Sequence, residues 1–186
     1  DIALFRNRFV SPLSTFGPSV YKYYIMDTLS VEGTPCIDLA FSPFNSESHG
    51  FTGHIYLTAD STHFIKWIQM TTPHNINLNF VRTLNISQTF SPAADGTPLL
   101  NKETLTAEFE LTQQINGVYA KREVNYKNYQ LDMPTQPSLF EQPETVIEEE
   151  GARERSEEFW VANRIGHVSE KESSISTMVA QLRQYP

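Results

Sequence analysis

The sequence has a single cysteine, Cys36, in 186 residues. One thiol cannot close an internal disulfide, so the fold does not depend on oxidising conditions, and the redox compartment is left open. No histidine lies near Cys36 in sequence, which favours a small buried strand residue over a reactive thiol. Basic residues are few, with 14 Lys and Arg against 22 Asp and Glu. With a pI near 5.1 and no basic stripe, the chain argues against a nucleic-acid binder, because neutralising phosphates needs clustered cations. No run approaches the roughly 18 apolar residues of a membrane-spanning helix. A Walker loop, a G-x-G-x-x-G fingerprint and a G-x-S-x-G elbow are all missing. The chain starts at Asp1 without Met or a signal peptide, and reads as an excised fragment of a longer protein.

The acidity is confined to one stretch. Of the net charge of −8, a balance of −6 falls between Glu141 and Glu158, where eight Glu meet two Arg. The rest of the chain is nearly neutral. Aromatic residues make up 12%, which favours strands.

Residues from about 16 to 130 read as a succession of strands. Tyr21, Tyr23 and Ile25 alternate with Lys22, Tyr24 and Met26, and Ile37, Leu39 and Phe41 follow after the turn signature Val31-Glu32-Gly33-Thr34-Pro35. Phe51, Gly53, Ile55, Leu57 and Ala59 share a face. Asp60-Ser61-Thr62 turns the chain into Phe64–Met70, and Leu78–Phe90 forms a further long strand. Leu105, Ala107, Phe109 and Leu111 alternate with Thr106, Glu108, Glu110 and Thr112. Asn116-Gly117 marks a tight hairpin into Val118–Tyr126, which places Phe109 and Val124 on one face. Clean alternation of this kind describes an antiparallel sheet with one wet face. The expected fold is mainly β: a curved open antiparallel sheet, or half-barrel, followed by C-terminal α-helices. Residues 1–132 form the β-domain, 133–156 a Pro- and Glu-rich linker, and 157–186 a helical segment. Ser156 caps a first helix, and Ser169 with Glu172 opens a second that carries Ile175, Met178, Val179 and Leu182 as one apolar stripe.

Catalytic chemistry finds little to build on. The five histidines (His49, His54, His63, His74, His167) form no helical ligand pair, so structural or surface roles are expected, with no metal and no cofactor. Glu108 and Glu110, two apart beside threonines, have the ordinary appearance of a solvated strand face. Trp67, Tyr21, Tyr23, Tyr24, Tyr56 and Tyr119 invite comparison with a carbohydrate platform, although rings in a sheet of this size ordinarily pack in the core or across strand pairs. Asp27-Thr28-Leu29 and Asp60-Ser61-Thr62 match a short pattern for O-glycosylation at Thr28 and Ser61.

Phe41-Ser42-Pro43, the run Phe51-Thr52-Gly53-His54-Ile55-Tyr56-Leu57 and the strand through Trp67 form one group. Phe159-Trp160 with Asn163-Arg164 and the helix from Ser169 to Pro186 form another. Together they resemble the central region of a family of uncharacterised Gram-negative outer-membrane proteins. In that family a carboxypeptidase-regulatory-like β-domain precedes the region, and a surface-antigen-like β-barrel follows it. The segment Ile165-Gly166-His167 departs from the family pattern. The resemblance implies a periplasmic location beside the outer membrane and assigns no catalytic residues. The hairpin succession is also similar in architecture to the half-barrels of periplasmic lipoprotein carriers.

The expected function is therefore a non-enzymatic interaction or support module. Its partner would be the membrane barrel of the same polypeptide or a periplasmic protein, contacted through Phe159 and Trp160. The alternative is a carrier of lipid or another apolar ligand, held in the concave face of the sheet by Ile55, Leu57, Leu105, Phe109 and Leu111. A filled or an empty apolar cavity separates the two.

Overall fold

A computed structural model describes residues 2–4, 7–45, 47–73, 76, 78, 80–110, 117–131, 151, 154–163 and 174. The chain divides into two compact units, Asp1–Tyr129 and Gln130–Pro186.

The first unit is mainly β. A short hairpin, β1 (Ile2–Leu4) and β2 (Asn7–Phe9), leads through a one-turn helix α1 (Gly17–Val20) into a seven-stranded antiparallel sheet. Its strands are β3 (Tyr21–Val31), β4 (Thr34–Pro43), β5 (Thr52–Thr58), β6 (Ile65–Thr71), β7 (Val81–Pro92), β8 (Pro98–Phe109) and β9 (Val118–Asn125). Their order in space is their order in sequence, and the sheet is open, with β3 and β9 at its two edges.

The β3–β4 turn forms where the sequence places it. Glu32 and Gly33 both take positive φ, 49° and 79°, as a two-residue hairpin turn matched to the strand twist requires. Met26 in β3, Lys66 in β6, Arg82 in β7 and Asn101 in β8 are each skipped in a ladder. Such bulges bend a strand and increase its twist, and here they curve the sheet.

Register assigns every side chain to a face. Tyr21, Phe41, Ile55, Ile68, Met70, Leu84, Ile86 and Ala107 fall on one face and form one buried cluster. Val81 at the start of β7, and Phe9, Phe51 and Leu78 from outside the sheet, complete that cluster. Two tyrosines fasten the N-terminal segment to it. Tyr21 Oη donates to the Val10 carbonyl at 2.5 Å and accepts from the Phe51 N–H at 3.2 Å, and Tyr23 Oη donates to the Pro12 carbonyl at 2.7 Å. Burial raises the pKa of both phenols, so both remain donors at neutral pH.

The β8–β9 pairing differs from the tight turn expected at Asn116-Gly117. A two-residue turn there would set Phe109 opposite Val124, but Phe109 stands opposite Val118, and Val124 faces Glu103. The slip is six residues. Six is even, so Phe109 and Val124 still share a face. Residues 110–117 connect the strands, and 111–116 lie outside the described residues. The solvated side of this pair carries Lys102–Glu123 at 2.9 Å and Lys121–Glu123 at 3.4 Å.

In the second unit, α2 spans Glu157–Asn163. Ser156 Oγ accepts from the Phe159 N–H at 3.3 Å, which is the expected N-cap. Of the expected second helix only Ser174 is described, in helical backbone, and most of the 133–156 linker lies outside the described residues.

Candidate functional site

The face opposite the core carries a groove with a volume of about 440 Å³. Its walls are two adjacent cross-strand rows over the four central strands. One row runs Thr52, Thr71, Asn85, Thr106 and the other His54, Gln69, Ser87, Thr104. These side chains share a face because each is directly opposite its neighbour in the ladder. The backbone of Gly53, Met70 and Ile86 also borders the groove, while Met70 and Ile86 point their side chains into the core.

Gly53 allows the strands to approach closely here. A Cβ at this position would lie 1.9 Å from the Gln69 carbonyl oxygen. Neither backbone can yield without breaking the β5–β6 ladder beneath the groove.

The next row along the same face is Asp38, Tyr56, Trp67, Thr89. Three planar groups stack beside the groove. Tyr56 and Trp67 lie 4.7 Å apart at 19°, and His54 and Tyr56 lie 6.1 Å apart at 15°. Trp67 Nε1–H donates to Ser87 Oγ at 2.8 Å, so the indole is tied to the groove wall. His54 Nδ1 is 2.7 Å from Asp38 Oδ1, which fixes the imidazole plane. Burial, with a smaller contribution from the Asp38 charge, raises the Tyr56 pKa. Across the groove Asn85 Nδ2 reaches Thr106 Oγ1 at 3.4 Å, and Gln88 Nε2 donates to Glu103 Oε2 at 2.7 Å on the opposite face.

The residues expected to hold an apolar ligand sit elsewhere. Ile55 is 3% exposed within the core cluster, and Leu57, Leu105 and Phe109 are partly buried against it. All four are on the core face, and Leu111 lies outside the described residues. Phe159 and Trp160 are exposed on α2, edge to face at 5.5 Å, with the Arg155 guanidinium 5.1 Å over the Phe159 ring. Cys36 is buried and free. His49 packs edge-on against Phe9 at 5.4 Å, His63 occupies a positive-φ turn position, and His74 and His167 lie outside the described residues. Among the described residues no cluster of His, Cys, Asp and Glu is arranged to hold a metal. No described helix is long and apolar enough to cross a membrane.

The groove was hidden in the sequence because its walls consist of the residues that alternate with the core. Alternation marks them as solvated but does not show that four neighbouring strands make their polar side concave. Trp67 and Tyr56 were visible as rings, and their pairing follows only from the β5–β6 register.

No curated protein and no solved structure matches the chain. The model of a family described as "Family of unknown function (DUF5686)" matches residues 1–129 of the 186, the whole β-rich unit, and the chain belongs to that family.

Proposed function

We propose that this chain is a non-enzymatic interaction module from the periplasmic part of an outer-membrane protein. Its partner would be the membrane barrel of the same polypeptide or a periplasmic protein. The observation that carries the reading is the outer edge of β3. This strand pairs with β4 alone among the described residues, and it presents Tyr24, Ile25 and Met26 at 51%, 76% and 62% exposure. A long edge strand with exposed apolar side chains invites pairing unless something covers it. Exposed Phe159, Trp160 and Val161 on α2 add a second apolar patch in the other unit. The sequence resemblance around Phe41–Leu57 and Phe159–Arg164 supports the location beside the outer membrane. A carrier for an apolar ligand draws less support, because Ile55 lies in the buried cluster and Leu57, Leu105 and Phe109 pack against it, partly buried.

Two measurements on the full-length protein in its own cells test this. Protease should reach the chain only after the outer membrane is permeabilised. A photo-crosslinking residue at Ile25 should give discrete adducts with the polypeptide's own barrel or with a periplasmic protein, while one at Thr97, on the exposed β7–β8 turn, should not. Recovery with the cytoplasmic fraction, or equal adducts at both positions, would refute the proposal.

A further inference from the structure

The geometry points to the groove on the polar face as a binding site for a neutral polyhydroxylated ligand, such as a segment of an uncharged glycan. This inference does not depend on the interaction role of β3.

The chemistry of the walls selects the ligand class. Thr52, Thr71, Thr104, Thr106 and Ser87 offer hydroxyls, Asn85 and Gln69 carboxamides, and His54 an imidazole. Each hydroxyl both donates and accepts, and each carboxamide presents two donors and an acceptor. Among the described residues that line the groove there is neither a carboxylate nor a Lys or Arg. On β9 next to it Lys121 and Glu123, opposite Thr106 and Thr104, pair with each other, so an anionic ligand would meet no unpaired cation within the groove. An acyl chain would strip water from wall groups such as Gln69, Thr52, Thr71 and Thr104 and return no hydrogen bond, at a cost for each. A ligand dense in neutral hydroxyls can replace that water and also bond to the groups already paired within the walls.

The aromatic stack supplies the other half of such recognition. His54 lines the groove, backed by Tyr56 and, stacked on Tyr56, Trp67 beside the groove, so the imidazole is the planar surface that this stack offers to the apolar C–H face of a sugar ring. The walls are also held in place. Asp38 orients His54, Ser87 fixes Trp67, and Thr106 engages Asn85, so little conformational freedom remains to be lost on binding. The volume of about 440 Å³ falls in the range of ligand clefts, roughly 300–1,000 Å³.

The experiment is a titration of the isotope-labelled 186-residue chain at pH 7.5, followed by NMR. The probes are maltohexaose, cellohexaose, chitohexaose and mannohexaose, with a polygalacturonate hexamer as the acidic comparison. At least one neutral hexamer should move the side-chain NH2 signals of Gln69 and Asn85 and the indole signal of Trp67. The Trp160→Phe variant identifies which indole signal is which. Gln69→Met and Thr104→Val each remove one hydrogen-bonding partner and should weaken binding about five-fold without altering the fold, as expected for single neutral hydrogen bonds. Gln69 is exposed, so its substitution tests binding even if Thr104→Val disturbs the strand. Three results would overturn the inference. One is the absence of shifts with every neutral hexamer at roughly 10 mM, where even millimolar affinity saturates. Another is tighter binding of the acidic hexamer. The third is shifts confined to core-face residues.

Discussion

Trp67 and Ser87 stand on neighbouring strands, β6 and β7, and the indole N–H of one donates to the hydroxyl of the other at 2.8 Å. Indole has no second donor or acceptor, so this bond accounts for its whole polar capacity. Ser87→Ala should therefore leave a half-buried N–H without its partner and lower stability by about 1 kcal/mol. One of the two indole signals in an NMR spectrum should shift and the other stay fixed. Two unchanged signals would mean that the bond does not form in solution.

Gly53→Ala should be among the most damaging single-methyl additions in the sheet. The added Cβ would meet the Gln69 carbonyl oxygen at 1.9 Å, backbone against backbone. Relief requires β5 and β6 to separate, at a cost of about 3 kcal/mol, typical of severe overpacking. At Gly33 nothing lies within 4 Å of the new methyl, and only the positive φ of 79° opposes it, so Gly33→Ala should cost about 1 kcal/mol. Urea denaturation of the two variants gives the comparison, and reversed ranking would contradict the β5–β6 geometry.

Asp60 ties the β5–β6 turn to acid stability. Its carboxylate accepts from Thr58 Oγ1 at 2.8 Å, from the Thr62 N–H at 2.9 Å and from Thr62 Oγ1 at 2.5 Å. The Thr62 and Thr58 hydroxyls, followed by the Thr62 amide, lower its pKa from 3.8 to about 2. A folded-state pKa below the unfolded one gives stability that is present above the unfolded value and lost as pH falls toward the folded value. The contribution should be complete above pH 3.8 and vanish on the way down to about 2. The urea midpoint of the wild type should fall more steeply through that window than that of Asp60→Asn, and parallel curves would count against the hydrogen-bonded turn. Asp95, lowered by Thr97 in the β7–β8 turn, adds loss of the same sign and stays in both proteins.

A disulfide tests the β8–β9 register directly. With Cys36→Ser as background, cysteines at 109 and 118 should oxidise to a bridge, since directly opposed residues have suitable Cα separations. Cysteines at 109 and 124 should not, being about 20 Å apart along the strands. Mass spectrometry after mild oxidation distinguishes the pairs.

Hydropathy and turn chemistry carried the fold a long way. The β3–β4 hairpin was readable because Glu32-Gly33 supplies the two positive-φ residues between alternating runs. The open antiparallel sheet and the Ser156 cap of α2 were legible for similar local reasons. Asn116-Gly117 has the same local signature but does not set the register, because pairing over the length of β8 outweighs one turn preference. Alternation alone left the stretch between Phe90 and Leu105 unassigned, although Gly96, at φ 85°, closes a hairpin there through the Ala93–Thr97 backbone bond. The first fifteen residues were unreadable because Phe9 and Val10 find their place only against Tyr21 and Phe51, through contacts between separate segments, and residues 17–20, read within the strand succession, form α1 instead. The groove was unreadable for the same reason, since its eight wall residues come from four strands.

The order of strands in the sheet has a kinetic consequence. Each strand from β4 to β9 pairs with the strand that precedes it in the chain, and the longest link within the sheet is residues 72–80. No ladder of the seven-stranded sheet has to close a loop larger than a hairpin. The entropy lost before each new ladder is rewarded stays small, and pairing confined to neighbours in the chain favours rates faster than those of β-sandwiches with crossed connections. As the chain emerges N-terminus first during synthesis, each strand finds its only required template already made, and the exposed edge moves along the sheet from β3 toward β9 as the fold grows.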